Sequence, residues 1–216
     1  MKKDKTFIFD LDGVIVDTAK YHFLAWKKLA DELGIDFTHE HNEQLKGVSR
    51  IRSLEIILEL GKKEVSKADF EMLLTRKNED YLRYIEKMDE NEILVGVLDT
   101  LNFVRANGWK IVLGSASKNA RPILEKTGLL SYFDAVVDGN DVSKAKPDPE
   151  VFVIGAEKVN TKPENCIVFE DSVAGIQAAN RAGMTSIGIG NKEILYQAKY
   201  VFRDFTEISN EFLKRI

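Results

Sequence analysis

The sequence of 216 residues contains one cysteine, Cys166, and four prolines. A lone cysteine closes no disulfide within the chain, which fits a reducing compartment. It sits in the apolar run Cys166-Ile167-Val168-Phe169, where cysteine behaves as a small buried hydrophobe. So few prolines leave no Pro-rich linker. Long apolar runs are missing too. After the basic start Met1-Lys2-Lys3-Asp4-Lys5, the run Phe7-Ile8-Phe9 is broken by Asp10, too early for a signal peptide or a membrane span. Nor is positive charge in excess. Lys and Arg total 31 against 35 Asp and Glu, a net charge of −4, so no global basic field favours nucleic acid. These shortages predict a cytoplasmic, soluble protein with neither a nucleic-acid nor a membrane partner. Without an exposed apolar run to mark an obligate interface, a monomer is expected.

What is present is 44% hydrophobic and 31% charged, outside the range of disordered chains, and long enough to bury a full core. Short runs rich in Val, Ile and Phe at 6–9, 110–114, 135–137, 166–169 and 185–188 read as buried strands. Helical patterns at 94–107, 119–127, 149–159 and 172–182 alternate with them, three closed by Gly108, Gly128 and Gly183. That alternation predicts an α/β fold, a Rossmann-like doubly wound parallel sheet. Between 17 and 89 the pattern is helical only, at 21–33, 41–45, 51–60 and 67–87. The expected organisation is a core of 1–16 and 90–216 with an inserted helical domain of 17–89.

The ends of the strands carry the chemistry. Phe7-Ile8-Phe9-Asp10-Leu11-Asp12-Gly13 places two carboxylates two residues apart, on one face of an extended chain. In open α/β sheets ligands bind beyond the carboxyl ends of the strands. Such a pair combines a nucleophile, an acid/base and a hard-metal site. A second strand ends in Gly114-Ser115-Ala116-Ser117-Lys118-Asn119, where hydroxyls and a helix N-terminus suit a phosphate; plain N-capping by Ser117 or Asn119 is the alternative. Lys146, in Lys144-Ala145-Lys146-Pro147, can neutralise phosphate as a point charge. Glu170-Asp171-Ser172 ends a further strand and can complete an oxygen-ligand Mg²⁺ site, or cap the next helix.

Two features lie in the helical stretch. Thr18, His22 and Trp26 follow i, i+4, i+8 spacing, one helical stripe, which packing alone also explains. Leu45-Lys46-Gly47-Val48-Ser49-Arg50 offers backbone donors, a hydroxyl and a guanidinium suited to bidentate phosphate recognition.

The four strand-end elements resemble the motifs of the haloacid dehalogenase superfamily, over essentially the whole chain. The resemblance implies that Asp10 attacks phosphorus, that Asp12 is the general acid/base, and that Ser115 and Lys146 hold the transferring phosphate. It implies Mg²⁺ at Asp10, the Asp12 carbonyl and Asp171, with Glu170 nearby. The helical insertion is similar to that superfamily's cap. The stretches 17–22, 42–50, 76–78 and 115–119, with Trp26, resemble a sugar-phosphate mutase of the superfamily. This implies interconversion of β-glucose 1-phosphate and glucose 6-phosphate through β-glucose 1,6-bisphosphate, with a sugar-phosphate phosphatase as the alternative. It also implies that Arg50, Ser117 and Asn119 hold the second phosphate, beside Ser49 and Ala116. Gly47 and Val48 would line the sugar site. Lys77 and His22 would contact sugar or position the acid/base, on the helical face with Thr18 and Trp26.

Overall fold

The computed structural model describes residues 5–45 and 48–216. Six strands form one parallel sheet: β1 (Thr6–Phe9), β2 (Lys110–Gly114), β3 (Ala135–Val137), β4 (Cys166–Glu170), β5 (Thr185–Ile189) and β6 (Tyr200–Phe202). Their order is β3-β2-β1-β4-β5-β6. The order reverses between β1 and β4, where a doubly wound sheet opens a crevice at the carboxyl ends of its strands. Thr6 pairs with Lys110 on one side and Cys166 on the other, so the ends of β1, β2 and β4 lie level.

The strands read as unbroken apolar runs because both faces of the sheet are covered. Alternate residues of β1 serve different cores. Phe7 and Phe9 join Leu113, Phe169, Leu101 and Val104 on one face. Ile8 joins Val112, Val168, Phe152 and Ala178 on the other. The covering helices are α5 (Val97–Ala106), α6 (Ala120–Lys126), α7 (Glu150–Lys158) and α8 (Val173–Arg181).

Residues between β1 and α5 form α1 (Ala19–Glu32), α2 (His39–Glu43), α3 (Arg50–Leu60) and α4 (Lys67–Ile85). These helices have their own apolar cluster, including Trp26, Leu29, Phe37, Leu54, Ile57 and Leu73. Ala25, Tyr81 and Ile85 belong instead to the cluster of the sheet, so α1 and α4 bridge the two.

Three details depart from the sequence reading. Helix α5 starts at Val97, not at 94. Ile93 forms an antiparallel bridge with Val16 and Leu94 N–H donates to Ile15 C=O at 3.0 Å, so these residues are tied to the loop after β1. Strand β6 and helix α9 (Asn210–Arg215) were not anticipated. Three half-buried residues and a six-residue helix are too short to show a period. Among the described residues, no helix is long and apolar enough to cross a membrane.

Candidate active site

Asp10 follows the last residue of β1, its N–H donating to Phe169 C=O at 3.0 Å. Its carboxylate oxygen Oδ1 accepts from Lys146 Nζ at 2.6 Å. The same ammonium donates to Glu170 Oε2 at 2.7 Å and to Gly114 C=O at 3.2 Å. Lys146 therefore joins the ends of β1, β2 and β4. The other oxygen of Glu170 accepts from the N–H and hydroxyl of Ser172. Ser172 in turn caps α8 by accepting from Gly175 N–H at 3.0 Å. The capping role that the sequence leaves open to the stretch 170–172 thus falls to Ser172. Two glycines make room. A Cβ on Gly175 would occupy the space of the Glu170 carboxyl, and one on Gly13 that of the Asp171 carboxyl. Gly13 also turns the chain at φ +79°, a region other residues rarely adopt.

Carboxylate oxygens of Asp10, Glu170 and Asp171 lie within 4.8 Å of one another. Burial, opposed in part by Lys146, leaves the Asp10 pKa well above the ordinary value, and Glu170, Asp12 and Asp171 push it further the same way. Burial works against the Lys146 charge, but Asp10 and Glu170 outweigh it and raise its pKa. Of these three acids, Lys146 pairs with Asp10 and Glu170. A hard divalent cation fits this all-oxygen set. The Asp12 side chain stands outside that set. One of its oxygens accepts from the Thr18 hydroxyl and lies 3.8 Å from His22 Nε2. Burial raises its pKa, with the Thr18 hydrogen bond acting in the opposite direction.

A second buried lysine stands on the helical side. Lys77 Nζ lies 2.9 Å from His22 Nδ1, and 4.7 and 4.6 Å from the ring centroids of Trp26 and Tyr81. Burial first, then Arg50, lower its pKa to about 7. Burial, Lys77 and Arg50 hold His22 well below its ordinary value. A neutral His22 accepts from Lys77 at Nδ1 and so carries its proton on Nε2, facing Asp12.

One cavity of about 450 Å³ gathers most of these groups. Asp10, Asp12, Lys146 and Asp171 line it from the sheet; His22, Trp26, Val48, Ser49, Arg50 and Lys77 from the helices; Ala116, Ser117 and Asn119 from the loop after β2. Arg50 opens α3, with its guanidinium pKa lowered by burial. Ser49 caps that helix, accepting from Arg52 N–H at 3.3 Å. Asn119 Nδ2 donates to Asn78 Oδ1 of α4 at 3.1 Å, a direct link between the loop and the helical region. Asn119 stands at the N-cap position of α6 without a side-chain capping bond.

Three expected residues do not line the cavity. Thr18 is fully buried and acts on Asp12. Ser115 is 1% exposed, and its oxygen accepts from Ser117 N–H at 3.1 Å. Glu170 is engaged by Lys146 and Ser172. Gly47, with Lys46, lies outside the described residues. Tyr81 and Asn42 line the cavity without having been anticipated. The signal for Tyr81 was its position four residues after Lys77, in the buried stripe Leu73, Lys77, Tyr81, Ile85.

Comparison with known proteins finds relatives along most of the chain. A family model for haloacid dehalogenase-like hydrolases matches residues 5–183. The chain is 41% identical to a beta-phosphoglucomutase of Bacillus subtilis, across 97% of this chain and 93% of that protein. It is 34% identical to a phosphorylated carbohydrates phosphatase of Thermotoga maritima, across 83% of this chain and 82% of the relative. The crystal structure of a beta-phosphoglucomutase from Clostridium difficile superposes with a TM-score of 0.93 at 43% identity, covering 98% of this chain and 96% of the other.

Proposed function

This chain belongs to the haloacid dehalogenase-like hydrolases, and from that membership we propose that it interconverts β-glucose 1-phosphate and glucose 6-phosphate through an aspartyl-phosphate enzyme and β-glucose 1,6-bisphosphate. The observation that carries this reading is one cavity lined at once by Asp10, Asp12 and Lys146 and by Arg50, Ser117 and Asn119. A phosphatase needs only the first set. A bisphosphate that must react at either end uses both. The 41% identity to a beta-phosphoglucomutase over nearly the whole chain supports the same choice.

In this reading a carboxylate oxygen of Asp10 attacks phosphorus and the bond from phosphorus to the sugar oxygen breaks. Asp12 delivers its proton to that departing oxygen. In the other direction Asp12 takes a proton from a sugar hydroxyl as its oxygen attacks the phosphorylated Asp10. Lys146 balances negative charge on the transferring group. Ser115 orients the loop beneath the phosphate through Ser117 N–H. Arg50, with Ser117 and Asn119, holds the phosphate that is not transferred, beside Ser49 and Ala116. Val48 and Trp26 line the sugar side. The family implies a divalent metal, and Mg²⁺ suits a set of few carboxylates shared with a phosphate. Asp10, Asp171 and the Asp12 carbonyl would hold it, with Glu170 alongside, and when bound it would neutralise charge developing on the phosphoryl oxygens.

Residues 17–89 act as a cap over a core of 1–16 and 90–216. A mutase has to keep water from the aspartyl phosphate, and a cap that closes on substrate excludes it. The protein works as a cytoplasmic monomer on this reading. The test is a Mg²⁺-dependent assay of β-glucose 1-phosphate with a trace of the bisphosphate, following glucose 6-phosphate and inorganic phosphate together. Rapid isomerisation with little phosphate, abolished in Asp10→Asn, is expected. Phosphate without isomer would make the protein a phosphatase with the Asp10 chemistry intact.

A further inference from the structure

Among the described residues, Tyr81 carries the one buried polar side-chain atom with no hydrogen-bond partner, its hydroxyl oxygen. The residue is 1% exposed. Its ring lies 4.1 Å from that of His22 and under Lys77 Nζ, in the wall that Asp12 shares. A buried hydroxyl without a partner carries a desolvation cost that nothing offsets. Phenylalanine would fill the same space without that cost, so packing does not account for the hydroxyl. The oxygen is closed off from solvent, so a bound sugar does not reach it unless the wall moves. A neighbouring side chain reaches it by rotation. Of the groups around it, Arg50 only donates, Lys77 is engaged with neutral His22 over the face of the ring rather than at the hydroxyl, and the Thr18 hydroxyl, which also bears on the phenol, already donates to Asp12. Asp12 is the carboxylate acceptor. Burial, then the Asp12 charge, keep the phenol protonated, well above its ordinary pKa.

We propose that Tyr81 is a positioning residue: its hydroxyl donates to the Asp12 carboxylate and orients it when α4 presses on the loop after β1. Thr18 already donates to Asp12, and Tyr81 adds a second donor. Tyr81 belongs to the helical region and Asp12 to the sheet, so the bond aligns the acid/base only when the two are closed together. The inference rests on the reading of Asp12 as acid/base, and shares that premise with the proposed function.

Tyr81→Phe removes the hydroxyl alone. Isomerisation kcat is expected to fall about tenfold, a fraction of what general acid–base catalysis contributes. KM is expected to stay within about twofold. The melting temperature should hold or rise. 4-Nitrophenyl phosphate isolates the effect, because nitrophenolate leaves without needing a proton. Its burst, which reports phosphorylation of Asp10, is expected to match wild type. In an Asp12→Asn background, Tyr81→Phe is expected to add no further loss. An unchanged kcat, an equal fall in isomerisation and burst, an added loss in Asp12→Asn, or a lowered melting temperature with intact kinetics would each overturn the proposal. Wild-type enzyme that releases phosphate without glucose 6-phosphate would overturn the mutase reading instead. Tyr81→Phe is then judged on phosphate release from the sugar phosphate, with the same expected and overturning results.

Discussion

Lys146 and Lys77 are both fully buried in one cavity wall, yet their charges fare in opposite ways. Lys146 sits at the strand ends between Asp10 and Glu170, at 2.6 and 2.7 Å, and its pKa rises. Lys77 sits among Trp26, Tyr81 and His22, and its pKa drops to about 7. Burial penalises both ammonium groups. What separates them is the neighbour. Two carboxylates in contact outweigh desolvation, whereas two aromatic rings and a neutral imidazole do not. The sheet side is a charged floor that a cation or phosphate completes. The helical side is a wall short of negative charge, which an incoming phosphate near Arg50 would supply.

The largest expected effect comes from breaking the charged floor. Lys146→Met leaves Asp10 and Glu170 buried without their cation. Turnover should fall about a thousandfold, on the scale of losing a preorganised charge. Stability at neutral pH should fall by about 3–5 kcal/mol, the usual cost of breaking a buried pair. Denaturant unfolding should show that deficit shrinking under acid, where protonation of Asp10, whose pKa burial already raises, relieves it. A deficit that grows under acid would contradict the account.

Lys77→Met should do the reverse to stability. The folded pKa of about 7 lies below the unfolded value of about 10.4. Between those values the unfolded chain binds more protons, so the contribution of Lys77 to stability rises with pH. Its penalty is full below about pH 7 and relieved toward pH 10. The variant should therefore be more stable than wild type at pH 6, by on the order of a few kcal/mol, with the difference narrowing as pH rises. Urea midpoints across pH 6 to about 9.5 would check this. Activity should still drop, because His22 loses the donor on Nδ1.

Asn78→Ala sharpens the comparison most finely. It cuts the hydrogen bond between α4 and Asn119 and leaves both lysines in place. KM for the hexose phosphate should rise about two- to fivefold, the worth of one polar contact. The ratio of phosphate released to isomer formed should rise with it. An unaltered ratio would show that this link does not contribute to closure.

Much of the frame was readable from local pattern. The runs ending at Phe9, Gly114 and Phe169 are apolar and bounded, and strands covered on both faces leave that trace. Their terminal residues Asp10, Ser115 and Glu170 were legible because strand ends are punctuated by a change from apolar to polar. Thr18 was legible only as part of a helical stripe, and its contact with Asp12 was not. Neither Tyr81 nor Asn78 stood out in its own right. A tyrosine in a buried stripe looks like packing, and an asparagine on a helix looks like surface.

The sequence by itself determined the alternation of strands and helices, the helical insertion, and which residue types stand at each strand end, because periodicity and turn chemistry are local. Only the tertiary structure decided that β1 lies between β2 and β4, so that Lys146 meets Asp10 from 136 positions away. It also decided that one lysine is held charged, that the other is brought near neutrality, and that the Tyr81 hydroxyl is left without a partner. Those outcomes depend on burial and on the identity of neighbours distant in the chain, and no local pattern encodes either.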